Sequence, residues 1–290
     1  MASRAVIVLG MMRSGTSIVA RGLQALGVHF GVDLLAPNSA NPTGFYEDMG
    51  VLRLNRRLLT VLGVGHGASL ISAAAWRRPE LSALRSEAVG HVLALASNEP
   101  LWGFKQPRTV RVLPFWLDVM RQLDVDDGYV VAIRSPYAVA SSLLERKWAK
   151  SMAEAQLLTM AHLVPMLHLI ASKPMVVVDY DRLMDDPYGQ LSRVQRALSL
   201  PIASEIAIAH FVERHINQKL RHESARGPGI GRLMKETHRL LSCMASDSIE
   251  HAEFWAAWGI HSSAVRAMLT ERHRSRGGQG VNSCLWPPWG

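Results

Sequence analysis

The chain has 290 residues, 48% apolar and 19% charged, with 32 Lys and Arg against 24 Asp and Glu, a formal charge of +8. That length buries a sizeable core within one domain, and that balance excludes a disordered or low-complexity chain. The positive charge suits an anionic ligand, but the basic residues are dispersed apart from Arg272, Arg274 and Arg276. Without an aromatic-interleaved basic patch, nucleic acid is not the expected partner.

In chain order, Ala5 to Leu9 is an apolar run of strand length that closes in Gly10 and enters Met11-Met12-Arg13-Ser14-Gly15-Thr16-Ser17. Helical periodicity follows to Leu26, with Ile18, Leu23 and Leu26 on one face, Arg21 and Gln24 on the other, and Gly27 as the stop. A strand, a glycine-bounded loop and a helix N-terminus together cradle phosphate, because backbone N–H groups and the helix dipole point into the loop. Gly10 and Gly15 have the spacing of the nucleotide-triphosphatase loop, yet Thr16 stands where that pattern has lysine. The loop's cation is Arg13 instead, and Thr16 and Ser17 sit at the first helical turn, where hydroxyls can reach phosphate oxygens.

Residues 28–48 read as a loop rich in Pro, Asn and Gly, followed by helices near 49–62 and 79–97. Leu101 to Phe104 is a short strand leading into Lys105-Gln106-Pro107-Arg108. A helix near 109–123, a strand at 129–134 and a helix at 137–149 come next. Ser151 and Glu154 form a capping box for a helix to about 171, and a strand follows at 175–180. Asp186 caps a helix with Pro187 at its first position, running to about 199. Beyond Pro201 the pattern is helical, broken by a loop at 225–231, and residues 273–290 read as a flexible tail behind a single domain of residues 1–272. Strands that alternate with helices predict an α/β fold with a central parallel sheet flanked by helices.

Three segments carry a family resemblance. Arg13-Ser14-Gly15-Thr16-Ser17 after an apolar strand resembles the 5′-phosphosulfate loop of sulfotransferases that use 3′-phosphoadenosine 5′-phosphosulfate (PAPS). Tyr129 to Ile133 ending in Arg134, with Ser142 eight residues on, is similar to that family's 3′-phosphate signature. Asp179-Tyr180-Asp181-Arg182-Leu183 after an apolar strand resembles its Tyr-Glu-Asp-Leu segment, with two acidic positions changed. The wording is closest to the bacterial and carbohydrate branch.

The resemblance implies a three-layer, P-loop-like α/β fold, PAPS as co-substrate, adenosine 3′,5′-bisphosphate (PAP) as product, and no metal. It implies that Arg13 to Ser17 hold the 5′ end, that Arg134 and Ser142 hold the 3′-phosphate, and that a late basic, glycine-containing loop at Arg226-Gly227 closes on the nucleotide. Arg13 takes the place where many relatives carry Lys, giving it the role of stabilising the leaving phosphate. The acceptor is then a hydroxyl of a carbohydrate or sugar-bearing small molecule. The rival readings are a P-loop kinase of a nucleotide or small molecule and a non-catalytic nucleotide-binding protein on the same scaffold.

A hydroxyl acceptor calls for a general base. Glu47, in Thr43-Gly44-Phe45-Tyr46-Glu47, is the first candidate, with Asp48 and His29 as alternatives. Lys105 is a candidate catalytic cation and Arg108 a further one; Lys105-Gln106-Pro107-Arg108 resembles the Lys-Asp-Pro-Arg of bacterial members, with Gln106 in place of the acid. His162 and His168 sit in an apolar helix and read as core or boundary residues, and the basic cluster with His215 and His222 as facing either substrate or solvent.

Cys243 and Cys284 are far apart without metal-ligand spacing, which points to a reducing, cytoplasmic compartment. No apolar run reaches the ~20 residues of a membrane span. Arg4 followed by an apolar stretch superficially resembles a leader, but Arg13 ends it at once and a first strand explains it better.

Overall fold

The structure is a computed structural model that describes residues 3–38, 41, 44–64, 67–97, 99–216 and 229–275. Four strands, β1 (Arg4–Gly10), β2 (Leu101–Lys105), β3 (Asp126–Ile133) and β4 (Met175–Asp179), form one parallel sheet in the order β2-β1-β3-β4. The helices are α1 (Thr16–Ala25), α2 (Met49–Val61), α3 (Glu80–Ala96), α4 (Leu113–Gln122), α5 (Pro136–Glu145) and α6 (Met152–Leu167). They continue with α7 (Tyr180–Asp185), α8 (Pro187–Ala197), α9 (Glu205–His215), α10 (Arg232–Ala245) and α11 (His251–Ser275).

Strand alternation creates the three layers. Ala5, Ile7 and Leu9 of β1, with Tyr129, Val131 and Ile133 of β3, enter one core, built with α2–α6, α10 and α11. Val6, Val8, Val130 and Ala132 point the other way into a second core with α1, α8 and α9. Period-2 side chains buried on both faces are what a parallel sheet covered on both sides demands. The expected α/β fold with its flanked parallel sheet is therefore the observed one.

The connection from β1 leaves toward β2, and that from β3 leaves toward β4. The C-terminal ends of β1 and β3 thus flank a topological switch point, where the diverging chain opens a crevice. Registers pairing Val8 with Lys105, Gly10 with Ala132 and Ile133 with Asp179 bring the ends of all four strands to that edge.

Several element ends differ from the sequence reading. β3 begins at Asp126 rather than 129, because the buried Asp127 carboxylate takes the Tyr129 hydroxyl and Lys173 Nζ, the latter at 2.6 Å. A 3-10 turn, Pro107–Val112, precedes α4, which starts properly only where Pro114 fits its first turn. α5 stops at Glu145, since Lys147 adopts φ 57° and turns Trp148 into the core. α6 yields to a 3-10 turn, His168–Ile170. α11 runs to Ser275, three residues past the expected tail boundary, with Arg272, His273 and Arg274 in its last turn complementing the dipole.

Candidate functional site

The chain leaves β1 through Gly10, where an added Cβ would lie 2.7 Å from the Ala132 carbonyl, so only glycine lets the loop pass over β3. The loop tightens as Ser14 Oγ donates to the Met11 carbonyl at 2.5 Å. Arg13 is held at φ 71°, which swings its side chain across the crevice. Gly15 at φ 84° is the N-cap of α1 and offers no capping side chain, so the first N–H groups of that helix face the loop without an intrahelical partner.

From the other side of the switch point come Arg134, at the end of β3, and Ser142, on α5. Arg13 Nε donates to Ser142 Oγ at 2.9 Å. The Arg134 guanidinium lies 4.3 Å from the centre of the Tyr180 ring, and its buried Nε has no hydrogen-bond partner among the described residues. Tyr180 also backs onto the loop: an added Cβ at Gly15 would meet its ring at 2.5 Å. Burial, reinforced by Arg146 and then Arg134, pushes the Arg13 guanidinium down to about 10. Arginines that destabilise one another's charge make a site that favours a polyanion.

The opposite wall holds the carboxylate. Lys105 at the end of β2 is 1% exposed, and its Nζ donates to Glu47 Oε1 at 3.1 Å and to Ser17 Oγ at 3.3 Å. Ser17 Oγ in turn donates to the Phe45 carbonyl at 3.1 Å, so the first turn of α1 is tied to the segment carrying Glu47. Burial lowers the Lys105 pKa, with the adjacent Glu47 opposing. Burial also pushes Arg108 down to about 10, against the pull of Glu47, with Arg56 adding to the depression. Arg13, Thr16, Glu47, Lys105, Arg108 and Arg146 line one cleft of about 620 Å³, counted out to open solvent, together with Met12, Leu35, Phe45 and Trp148.

The sequence candidates thus separate cleanly. Arg13, Ser14, Gly15, Thr16 and Ser17 form the loop; Arg134 and Ser142 converge on it; Glu47 and Lys105 are an ion pair in the same cleft. Asp48 does not join them, because its carboxylate caps α2 through the Val51 N–H at 2.8 Å and takes His91 Nε2 at 2.6 Å. His29 pairs beside Leu101 and Trp102 at the beginning of β2, the end opposite Lys105. His162 is buried against the Pro107 carbonyl at 2.8 Å and is pushed down to about 3 by burial and then by Arg111, so it is neutral, as a core histidine should be. Arg226, Gly227 and His222 lie outside the described residues, while His215 Nδ1 meets Arg21 Nη1 at 2.7 Å.

Tyr180 and Arg146 also belong to the site, and Asn55 lies buried behind it, bonded to Gln106 at 3.0 Å; sequence reasoning missed all three. Tyr180 had a signal, its place in the third motif. Arg146 had none beyond following a helix that begins at the end of β3. Asn55 had none at all. Among the described residues no group of three His, Cys, Asp or Glu side chains is placed to hold a metal.

No family model and no curated protein matches the chain. Among solved structures it is similar to the sulfotransferase domain of the Synechococcus PCC 7002 olefin synthase, at 17% identity and TM-score 0.47 over 86% of this chain and 96% of that one. It is similar to a sulfotransferase from Mycobacterium tuberculosis H37Rv at 17% identity and TM-score 0.45, over 74% of this chain and 72% of that one. It is also similar to retinol dehydratase in complex with androsterone and inactive cofactor PAP, at 13% identity and TM-score 0.38, over 98% of this chain and 82% of that one.

Proposed function

We propose that this chain is a PAPS-dependent sulfotransferase that moves a sulfonate group to a hydroxyl of an acceptor and leaves PAP. One observation carries the reading: two cationic sets from different strands meet in one crevice, joined by the Arg13–Ser142 bond at 2.9 Å. A nucleotide phosphorylated at both its 5′ and 3′ ends satisfies both sets, whereas a single polyphosphate chain satisfies one. The Arg134 Nε, without a partner among the described residues, is a buried polar atom of the kind that a ligand normally satisfies. Thr16 in place of the triphosphatase lysine weighs against a kinase.

When bound, PAPS supplies an activated sulfonate whose leaving group is a phosphate. The chain's own residues supply the remainder. Arg13, still cationic at neutral pH, provides fixed positive charge for the leaving oxygen, as do the N–H groups at the start of α1. A carboxyl oxygen of Glu47 takes the acceptor's hydroxyl proton. Lys105 and Ser17 hold Glu47 and the first turn of α1 at a fixed separation, so base and loop move as one body.

A carbohydrate or sugar-bearing acceptor remains the favoured class. Its support is the pairing of polar groups, Asn41 and Glu47, with the Trp148 ring along the cleft, which suits hydroxyls on one side and a C–H face on the other. A cytoplasmic setting belongs to the same reading and rests on the sparse, widely separated cysteines. Among the described residues no helix is long and apolar enough to cross a membrane.

The test is a thermal-shift comparison of PAP without metal against ATP with Mg²⁺, followed by sulfonate transfer from labelled PAPS to panels of sugars and of apolar alcohols. PAP at 100 times its dissociation constant should add about 2.7 kcal/mol. A larger shift with Mg-ATP overturns the nucleotide class; transfer to apolar alcohols alone overturns the sugar.

A further inference from the structure

Beneath Glu47 runs a line of polar side chains that water does not reach: Trp116 and Asn55 are 0% exposed and Gln106 is 3% exposed. A buried amide that only filled space would be poorly placed here. Resting on the reading of Glu47 as the base, we infer that Asn55 and Gln106 are positioning residues. They form a one-directional relay of hydrogen-bond donors that begins at the Trp116 indole, ends on Glu47 Oε2, and holds that carboxyl group as an ionised acceptor.

The direction follows from which groups can only donate. The Trp116 indole N–H donates to Asn55 Oδ1 at 2.8 Å. That fixes the Asn55 amide, whose Nδ2 must face the other way and donates to Gln106 Oε1 and Thr109 Oγ1, both at 3.0 Å. Gln106 Oε1 also accepts the Arg108 backbone N–H at 2.8 Å, a second donor that cannot reverse. Gln106 is left with its NH₂ toward Glu47 Oε2, at 3.3 Å. Turning either amide over would set oxygen against oxygen at one end and N–H against N–H at the other.

Other groups act on the same carboxylate. Lys105 Nζ holds Oε1 from β2, Arg108 in the 3-10 turn adds positive charge, and Arg13 and Arg146 line the cleft with it. Ser17 of α1 bonds to Lys105, and Asp48 is engaged at α2 and His91. The relay adds what charge alone does not. With one donor fixed on each oxygen the carboxyl plane cannot rotate, and a proton on Oε2 would meet an N–H.

The experiment compares Gln106→Glu, Gln106→Met and Asn55→Asp with the parent, with PAP titration as the check that each folds. Two readouts are taken from pH 5.5 to 9: sulfonate transfer and the carbon-13 titration of the Glu47 carboxyl. Gln106→Glu places a carboxylate where the donor was, so the acid limb should move up by a unit or more. Turnover should fall more at the acid end of the range than at pH 8.5, where it stays within about threefold of the parent. Gln106→Met and Asn55→Asp should move the limb in the same direction by less. A merely structural role would lower activity evenly at all pH values. Unmoved carboxyl titration in both Gln106 variants overturns the relay, whatever the kinetics do. Parent-like turnover in Glu47→Gln overturns the base reading instead, and leaves the carbon-13 result to decide the relay.

Discussion

Arg13 and Ser142 lie 129 positions apart in sequence and 2.9 Å apart in the fold. The bond joins the loop after β1 to the helix after β3, across the switch point, and neither strand nor helix requires it. It exists because Arg13 adopts a left-handed backbone conformation that sends its side chain sideways. Arg13→Ala and Ser142→Ala should therefore be non-additive for PAP binding. The single losses should overshoot the double by roughly 0.5–3 kcal/mol, as measured by isothermal titration across a double-mutant cycle. Strict additivity would separate the two residues functionally.

Arg134→Ala should weaken PAP by about 1.5–3 kcal/mol, because a charged hydrogen-bond donor to the 3′-phosphate is lost. Adenosine 5′-phosphosulfate lacks that phosphate and should bind almost as before. Titration of both ligands decides it, and equal losses would move Arg134 away from the 3′ end.

Glu47→Gln keeps the side chain's size and its hydrogen-bonding reach while removing the basic oxygen. Turnover should drop by about 10²–10⁴ with PAP affinity unchanged, since general-base catalysis contributes on that scale. The check is transfer from PAPS to the best acceptor, alongside PAP titration. Retained turnover removes Glu47 from the chemistry.

Gly15→Ala tests the wall behind the loop. The residue sits at φ 84°, and the new methyl would approach the Tyr180 ring at 2.5 Å. Stability should fall by about 1 kcal/mol or more from backbone strain alone. PAP affinity should fall at least tenfold, because the ring that moves is the one beneath Arg134. Parent-like affinity in a destabilised variant would show that the ring yields without disturbing the arginine.

His162 makes stability acid-sensitive. Its folded pKa, pushed down to about 3, lies below the unfolded value, so its contribution is complete above about pH 6.5 and is lost as pH falls toward 3. Unfolding free energy should drop by roughly 2–3 kcal/mol between pH 7 and pH 4.5 from this group. Denaturant titrations at the two pH values should show that slope reduced in His162→Gln.

Local signals made the first βα unit legible. Alternating apolar residues, two glycines at fixed spacing and a clustered cation each act over a few residues, and the structure assembles them as read. The approach of Ser142 to Arg13 was legible only through the spacing of a known motif, since nothing local in α5 points at the loop. Asn55 shows where sequence pattern fails. It lies between Leu54 and Arg56, where a polar residue reads as solvent-facing, yet the chain buries it completely because Trp116 and Gln106 offer partners. Asp48 was illegible for the opposite reason: adjacent carboxylates look alike in one dimension, and the Val51 N–H and His91 are what draw Asp48 away from the cleft that Glu47 lines.

The site's two sides are mounted on different parts of the scaffold. Arg134, Ser142 and Tyr180 hang from β3, α5 and α7, whereas Glu47, Lys105 and Gln106 hang from the segment before α2 and the end of β2. Among the described residues the segment after β1 joins both, through Arg13 to Ser142 on one side and through Ser17 to Lys105 and Phe45 on the other. The fold is therefore modular in the engineering sense. The two sides can be altered separately: a substitution at Leu35, which lines the cleft beside Glu47, changes one side while Val28, Phe30 and Asp48 keep the segment anchored and Arg134 and Ser142 keep their places.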